Sequence, residues 1–491
     1  MATNIVNVQD VTLNNLSIRS AIGNFDLVSS FVELTIEESL FRSSLTGNLI
    51  LADSFNLPEK LPIVGEETVD IDIALSGIDG REGEAGIHIK PPPMHVNSID
   101  SRYMTKPKAQ NFTLDLISEQ FMSSAHSKIS RSYSNKRISD MVYDIYYTYL
   151  NDRNDLSKQL NYESSERTES LIIPNLSPLD AIAWLSQRAQ PSNSGNYATN
   201  YVFFETIDGS SFMSIDTLAS VEPFWKFIFK PRSDDAAGVE NLAKGIQKIN
   251  KYYYLKQFDK TQNIEDGFYA SKLITHDIVR KKITQYDYIG INSFVGLNHV
   301  GLYPVISNSN VETTSSSVNR TNYGPPDNPF FRTNERDLFS MTDGAVCFYP
   351  KHNQLYAKNT NDLYDNKVED WKLQRNAQLA AYDNLTMMIE VSGNSTLRVG
   401  QTVTLELPSP EANDGDGQSD NLRDRFLSGT YMITAIQHIF SAHQKKDNKI
   451  SIVLFILIIY INYFNICYNN IRILIYIIKI LKIKIIIKFK Y

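Results

Sequence analysis

The chain has 491 residues, of which 42% are hydrophobic and 21% are charged, and this length predicts two to four domains. The composition excludes a fibrous repeat, a disordered protein and, because Cys347 and Cys467 are its only cysteines, a disulfide scaffold. The net charge of −7 combines two regions, since residues 451–491 carry five Lys and one Arg without an acidic residue, which leaves −13 on residues 1–450. An acidic body argues against a basic nucleic-acid-binding face.

The first hundred residues show the two-residue period of antiparallel strands with one wet face. In the segment 32–37, Val, Leu and Ile alternate with Glu and Thr, and in 69–75 apolar residues alternate with Asp and Ala. The glycine-rich, acidic segment 77–86 predicts a long hairpin tip, because it lacks the Lys-Ser/Thr pair of a phosphate loop. Three consecutive prolines at 91–93 exclude a central strand at that point.

Helical patterns begin after residue 119. The apolar residues of 138–149 share one face of a helix. A second helix has a strong start signal at Ser177, an N-cap residue that is followed by proline at the first helical position. Two strands, 201–206 and 212–215, are then predicted to form a hairpin around an Asp-Gly turn.

The polar segment 307–328, which contains Gly-Pro-Pro near its end, predicts a linker. A helical pattern returns at 365–382, and strands are predicted at 387–391, 401–407 and 430–440. The two β-rich ends therefore bracket a mixed centre, which predicts a β-rich α+β fold.

The basic and aromatic segment Trp225–Arg232 allows two interpretations. It could be a stacking surface for nucleic acid, but its aromatic residues at 225, 227 and 229 alternate with Lys226, Ile228 and Lys230, as in an amphipathic edge strand. The alternation favours the edge strand.

The sequence contains no zinc-protease His-Glu pair, Walker loop, dinucleotide fingerprint or nucleophile elbow. His438 and His443 are close in sequence, but their spacing of five places them on opposite faces of a strand, which favours solvent-facing or hydrogen-bonded histidines over a metal pair. Asp70 and Asp72 could be imagined as a glycosidase dyad, yet their alternation favours the wet face of a strand.

The acidic segment 411–420 has some features of a calcium-binding loop. Counted from Asp414, however, position six is Ser419 instead of Gly and position twelve is Arg425 instead of Glu, so a solvated acidic loop is predicted. The sequence therefore predicts no catalytic, cofactor-binding or metal site and no enzymatic activity.

The segment 451–491 differs from the rest of the chain in its amino-acid composition. Ile, Lys, Tyr, Asn, Phe and Leu make up 37 of its 41 residues, and codons of A and T alone can encode all six. A membrane anchor needs about 20 apolar residues, whereas asparagines and basic residues interrupt both apolar runs. We therefore favour out-of-frame translation of AT-rich DNA, which would leave this tail spurious or disordered.

A spurious tail would deprive the chain of a native strand after residue 449. Residues 450–457 could pair in its place, but they lack polar alternation, so an apolar face would be exposed and the product would aggregate. The first residues of the chain lack the apolar core of a signal peptide.

Several longer segments resemble one protein family. Its members are the baseplate central hub subunits of contractile-tailed (myovirus) phages, which are similar to the hub half of type VI secretion spike proteins. The resemblance rests on these segments: Ile129–Val142, Ser177–Leu185 leading to Phe203–Glu205, Gly267–Asp277, the helix with Trp371 and Arg375–Leu379, Ser392–Pro408 and Leu427–His438.

The resemblance implies two antiparallel tube-type β-barrels with an α/β central region between them. The implied division is a first barrel at 1–118, a central region at 119–345, a helix with the second barrel at 346–450, and the anomalous tail at 451–491. Part of 201–232 would join the second barrel.

The resemblance also implies a structural role. A homotrimer would form a pseudo-six-fold ring in the baseplate of the virion tail, assembled in the host cytoplasm, which joins the tail tube or tube-initiator protein to the central spike and contacts wedge proteins. DNA would only pass through an acidic lumen, and no membrane is involved. The alternatives are a tail-associated peptidoglycan hydrolase and a membrane-anchored protein that uses 451–491.

Overall fold

The computed structural model describes most of the chain. The described residues are 10–75, 87–151, 159–191, 200–229, 247–278, 280–290, 342–351, 368–394, 396–409, 424, 427–444 and 450–462. The predicted hairpin tip at 77–86, the linker at 307–328 and the acidic loop at 411–420 lie outside these residues.

The described strands are β1 (Asp10–Ser20), β2 (Gly23–Asp26), β3 (Phe31–Ser39), β4 (Thr46–Asp53), β5 (Thr68–Leu75), β6 (Ile87–Ile89), β7 (Met94–Lys106), β8 (Ala109–Ser118), β9 (Ser132–Arg137), β10 (Leu160–Tyr162), β11 (Thr168–Ile172), β12 (Tyr201–Thr206), β13 (Gly209–Ser214), β14 (Trp225–Phe229), β15 (Lys248–Lys256), β16 (Ala270–Asp277), β17 (Lys282–Ile289), β18 (Val346–Pro350), β19 (Thr386–Ser392), β20 (Thr402–Glu406), β21 (Gly429–Gln444) and β22 (Ile450–Asn462). The described α-helices are α1 (Leu57–Lys60), α2 (Glu119–Ala125), α3 (Ile138–Ile145), α4 (Pro178–Ser186), α5 (Ile215–Ser220), α6 (Lys260–Glu265) and α7 (Val368–Tyr382). A π-helical turn, Tyr146–Leu150, continues α3. Within the described part of the chain, no helix is long and apolar enough to cross a membrane.

The strand pairings of the large sheet return on themselves twice. Neighbours run in the order β1, β5, β7, β8, β4, β3, β21, β22 and back to β1, and we call this the first ring. They also run in the order β22, β19, β15, β14, β20, β21 and back to β22, which is the second ring. The pairings of the first ring are antiparallel, whereas β14 lies parallel to both of its neighbours in the second ring.

Strand β21 belongs to both rings because it is sixteen residues long. One edge pairs first with β20, over 429–432, and then with β3, over 435–441. Its other edge pairs with β22, whose residues 456–462 also pair with β19 while residues 453–454 pair with β1. The hairpin of β21 and β22 is therefore a wall that the two rings share.

The alternating sequence explains these strands. On β5, Val69, Ile71 and Ile73 are buried and the aspartates between them are partly exposed. Apolar residues of both rings and of α5 and α7 contact one another in one continuous core, in which Leu34, Phe227 and Phe440 are fully buried. Burial of this continuous apolar surface stabilises the two rings together.

The central region has a second core of its own. Helices α3 and α4 pack there with strands β12 and β13, and the Ser177 side chain accepts a hydrogen bond from the backbone N–H of Asp180 at 3.3 Å, as its N-cap position predicts. The predicted helices and the predicted hairpin are therefore confirmed in this region. A separate three-stranded sheet, β17-β16-β18, packs on α7 through Leu273, Trp371 and Leu373.

The structure confirms the β-rich α+β fold and corrects one expectation. Segment Trp225–Phe229 is not an edge strand, because β15 and β20 pair with its two sides. Lys226 at its exposed face forms an ion pair with Glu406 at 2.8 Å. Residues 451–462, within the anomalous tail, lie in β22 of the large sheet.

Candidate functional site: the junction between the rings

A cluster of charged side chains lies where the two rings meet. Glu38 is near the end of β3, and His438 is in the middle of β21, on the neighbouring strand. The register places Glu38 opposite Ile436 and His438 opposite Ile36. The Glu38 and His438 side chains are diagonal neighbours on one face, and both are completely buried.

Glu38 connects three parts of the fold. Its Oε1 accepts a hydrogen bond from the backbone N–H of Ile207, in the turn between β12 and β13, at 3.0 Å. Its Oε2 accepts one from the backbone N–H of Val399, in the loop before β20, at 3.4 Å. One carboxylate of the first ring thus holds a turn of the central region and a loop of the second ring.

Arg398 lies beside this carboxylate. Its Nε is 3.8 Å from Oε1 of Glu38, and its guanidinium donates two hydrogen bonds to Asp208, from Nε at 2.7 Å and from Nη2 at 2.9 Å. Asp208 is exposed, whereas only 14% of the Arg398 side chain is. Arg398 is therefore held in place by a surface carboxylate while it compensates a buried one.

Burial shifts both titratable groups of the junction away from their charged forms. The pKa of Glu38 is raised to about 7 because burial disfavours the carboxylate, and the nearby Arg398 charge only partly opposes this effect. The pKa of His438 is lowered to about 3, mainly by burial and further by Arg398. The Nε2 atom of His438 lies 3.9 Å from Oε1 of Glu38, too far for a hydrogen bond.

Two further contacts tie the central region to the first and second rings. The Glu205 carboxylate accepts a hydrogen bond from the buried backbone N–H of Leu45 at 2.9 Å. Gly400 has a φ of +86°, and a Cβ atom there would meet Leu218 at 3.3 Å and Phe204 at 3.4 Å. A side chain at position 400 would therefore both strain the backbone and crowd this contact.

Helix α7 holds the central region through two buried polar side chains. The Arg375 guanidinium donates to the Asn200 side chain and to the carbonyl groups of Gln187 and Ser186, at the C-terminal end of α4. Gln378 donates a hydrogen bond to Asp216, whose pKa is raised to about 7 because the carboxyl group is buried. These contacts hold separate elements together by buried hydrogen bonds.

The junction is closed to solvent. Glu38 and His438 are completely inaccessible, so no substrate could reach them in the folded chain. No group of three or more His, Cys, Asp or Glu side chains among the described residues is arranged to hold a metal ion. The junction connects β3 of the first ring with the loop before β20 of the second, and the shifted pKa values of Glu38 and His438 make that connection sensitive to pH.

The candidate residues that were identified in the sequence do not come together in one site. Asp70 and Asp72 lie on the wet side of β5, where Asp70 accepts a hydrogen bond from Arg19 at 2.7 Å. His438 is completely buried, so the first of its two predicted alternatives, a solvent-facing position, is wrong. His443 lies on the same strand.

Sequence reasoning missed Glu38 and Arg398. A signal was present for the first, because Glu38 follows Leu34 and Ile36 at the same two-residue spacing and so occupies the inward phase of β3. A charged residue in that phase indicates a buried, paired carboxylate. Arg398 precedes β20 in a loop, where no periodicity could identify its partner.

No family model matches the chain, and no curated protein matches it. The fold is similar to that of a tail protein from Neisseria meningitidis MC58, with a TM-score of 0.46 and 9% identity over 91% of this chain and 96% of that one. It is similar to the 43 kDa tail protein of prophage MuSo2 from Shewanella oneidensis, with a TM-score of 0.46 and 9% identity over 91% and 97%. The Francisella PdpA–VgrG complex gives a TM-score of 0.45 and 12% identity over 95% of this chain and 54% of that one. By their names, these structures are two tail proteins and a VgrG complex.

Proposed function

We propose that the chain is the structural hub protein of a phage tail baseplate. Three copies would form a pseudo-six-fold ring that joins the tail tube, or a tube-initiator protein, to the central spike. The protein would act by binding these partners and the surrounding wedge proteins, without catalytic turnover. Its place would be the tail baseplate of the virion, after assembly in the host cytoplasm.

The observation that carries this proposal is the presence of two β-rings in one chain. Three chains with two rings each present six β-rings around a three-fold axis, and such an assembly can contact a six-fold tube on one side and a trimer on the other. The shared strand β21 and the buried Glu38 junction support this role, because they fix the two rings of each copy relative to one another. The family resemblance of the segments within 129–438 points to the same role.

We further propose that the sequence division implied by the resemblance applies: a barrel within 1–118, a central region within 119–345, a second barrel within 346–450 and an added segment from 451. The shared hairpin of β21 and β22 and strand β15 would then cross these boundaries to complete the two rings. The pairing of β14 supports the assignment of part of 201–232 to the second barrel. An acidic body with a net charge of −13 would let DNA slide through the lumen without sticking.

The mass and symmetry of the purified chain test this proposal. We expect a trimer by sedimentation and a projection with six similar densities by electron microscopy. We also expect binding to the trimeric spike protein of the same tail, with no clearing of cell walls in a zymogram. A monomer that clears cell walls would overturn the proposal in favour of a tail-associated hydrolase.

A further inference from the structure

The hairpin of β7 and β8 ends in an exposed, basic segment, Arg102–Lys108, which we call the tip. Residues 101–114 contain three basic residues and no acidic one, on a chain whose first 450 residues carry a net charge of −13. Arg102, Lys106 and Lys108 are exposed, and no described residue forms an ion pair with either lysine. The described part of the same chain therefore leaves the charge of the tip without a partner.

The tip also exposes apolar side chains. Met104 stands opposite Gln110, which shares the phase of buried Phe112 on β8. Met104 thus has the phase of a core residue, yet it is 65% exposed because the hairpin projects beyond the core. Tyr103 is exposed, and so is Phe55, two residues after β4 ends opposite Gln110. Tyr, Phe, Met and Arg are the residue types that are enriched in protein interfaces.

The backbone of this hairpin is not suited to the addition of another strand. Register shifts interrupt its pairing between Asp100 and Tyr103 and again between Met104 and Lys106, and Ser101 has a φ of +51°. Bulges and lysines on a strand oppose pairing with further strands. A partner must therefore contact the side chains of the tip, and the matching surface is apolar with carboxylates around it.

The chain presents a surface of that kind at α6. Phe258 is 66% exposed and Ile264 is also exposed, so two apolar side chains lie at the two ends of this short helix. Asp259 and Glu265, which follow them directly in the sequence, are exposed carboxylates. Segment 257–266 carries three acidic residues and one basic residue. We call these four side chains the α6 surface.

The α6 surface belongs to the second ring. The Asn263 side chain donates a hydrogen bond to that of Asn384 at 2.9 Å. Lys256, at the end of β15, forms an ion pair with Asp383 at 2.6 Å. Asp383 and Asn384 connect α7 to β19, so the helix is held against the ends of two strands of the second ring. The tip, in contrast, extends from two strands of the first ring.

We propose that the tip of one copy docks on the α6 surface of the next copy of this chain. A three-fold ring of identical chains needs a heterologous interface, in which two different surfaces of the chain meet. The first ring supplies a basic surface and the second ring an acidic one, whereas contact between two tips would bring like charges together. The inference rests on the proposed trimer and names the surfaces that connect its copies.

Charge reversal in the full chain tests the contact. The tip variant carries Lys106→Glu and Lys108→Glu, and the α6 variant carries Glu265→Lys with Asp259→Asn, which keeps a side chain that can cap the helix. We expect each variant to weaken trimer formation by about tenfold in sedimentation. We expect the variant that combines all four changes to recover the trimer.

A matched control has the same charge change on another exposed hairpin. Lys281→Glu and Lys282→Glu lie between β16 and β17 and should leave the trimer unchanged. A trimer that the tip variant retains, that the control weakens equally, or that the combined variant fails to recover would overturn the docking contact and leave the hub proposal intact. A monomeric unchanged chain would instead overturn the proposed trimer itself.

A photo-crosslinker identifies the surface that the tip contacts. With p-benzoylphenylalanine at position 103 and a mixture of isotope-labelled and unlabelled copies, we expect links between copies that map to residues 254–266. High salt should reduce their yield. Links within one copy alone, or links to another part of the second copy, would contradict the proposed pairing of surfaces.

Discussion

The two rings differ in how the chain builds them. In the first ring, β3 pairs with β4 and β7 pairs with β8, so hairpins between consecutive strands provide much of the pairing. The second ring shares the β21–β22 hairpin and also pairs β20 with β21, but it depends on the parallel pairings of β14 with β15 and β20 and on the distant pairing of β15 with β19. Parallel pairings need a crossover connection and are slightly less stable per residue than antiparallel ones. Local hairpins form with little loop-closure entropy, whereas distant pairings depend on the rest of the fold. We therefore expect the second ring to be the more vulnerable of the two.

The largest effect is expected from a stop after Lys449, which removes β22. In the first ring, β1 still pairs with β2 and β5, but in the second ring β19 keeps only β15. Amide hydrogen exchange should therefore show loss of protection in β19 before loss in β4. A stop after Asn462 retains β22 and is the control, and equal loss in the two rings would contradict the expected asymmetry.

Three buried phenylalanines test whether the rings unfold together. Phe112 lies in the first ring, Phe227 in the second and Phe440 on the shared strand, and all three belong to one core. Each Phe→Ala change should cost about 3–5 kcal/mol and shift one common unfolding transition, measured by calorimetry. Two separate transitions in any variant would show that the rings are independent.

Replacement of Arg398 by Ala tests the junction. The change removes the cation beside buried Glu38, so we expect a loss on the order of 3 kcal/mol at pH 8, where that carboxyl group is ionised. The loss should be smaller at pH 5, where Glu38 is protonated. Urea unfolding measures both values, and Arg188→Ala, whose guanidinium stacks on Trp184 away from the junction, is the matched control.

The two buried titratable groups, Glu38 and His438, should make the free energy of unfolding depend on pH in opposite directions. The pKa of Glu38 is about 7 in the folded chain, against an ordinary value of 4.5. Its contribution to the free energy of unfolding is therefore fully present below pH 4.5 and is lost as the pH rises to 7. The pKa of His438 is lowered from 6.5 to about 3, so its contribution is present above pH 6.5 and is lost as the pH falls towards 3. The two slopes oppose each other between pH 4.5 and 6.5.

The variant Glu38→Gln isolates one of these slopes. Its stability relative to the unchanged chain should rise by up to about 1.4 kcal/mol per pH unit between pH 4.5 and 7. Asp216 titrates in both proteins and cancels from the comparison. Urea midpoints at a series of pH values measure the difference, and a constant difference would show that Glu38 is not protonated in the folded chain near neutral pH.

Local patterns predicted β3, β5 and β21 of the first ring, β19 and β20 of the second, and several elements of the central region. The alternation of β5, the N-cap at Ser177 and the Asp-Gly turn between β12 and β13 are short-range signals, and the structure contains each of them. The position of Trp225–Phe229 within the sheet could not be predicted in this way. Its neighbours β15 and β20 follow it by some 20 and 170 residues, and periodicity carries no information on distant pairing.

The junction shows a second limit of sequence reasoning. Glu38 breaks the apolar phase of its strand, which indicates that something must compensate it, but nothing in the sequence identifies Arg398 as that partner. His438 likewise has the spacing of a buried residue. Periodicity can thus show that a charge is buried, whereas only the fold can show which loop brings the opposite charge.

The shared strand β21 also sets the order of events during synthesis. Strand β3 leaves the ribosome early, but its partner on β21 follows some four hundred residues later. At about 5–20 residues per second, translation of this interval takes roughly 20–80 s. For that time the nascent first ring has an open edge along β3, which makes β3 a candidate contact for chaperones and for misassembly with neighbouring nascent chains.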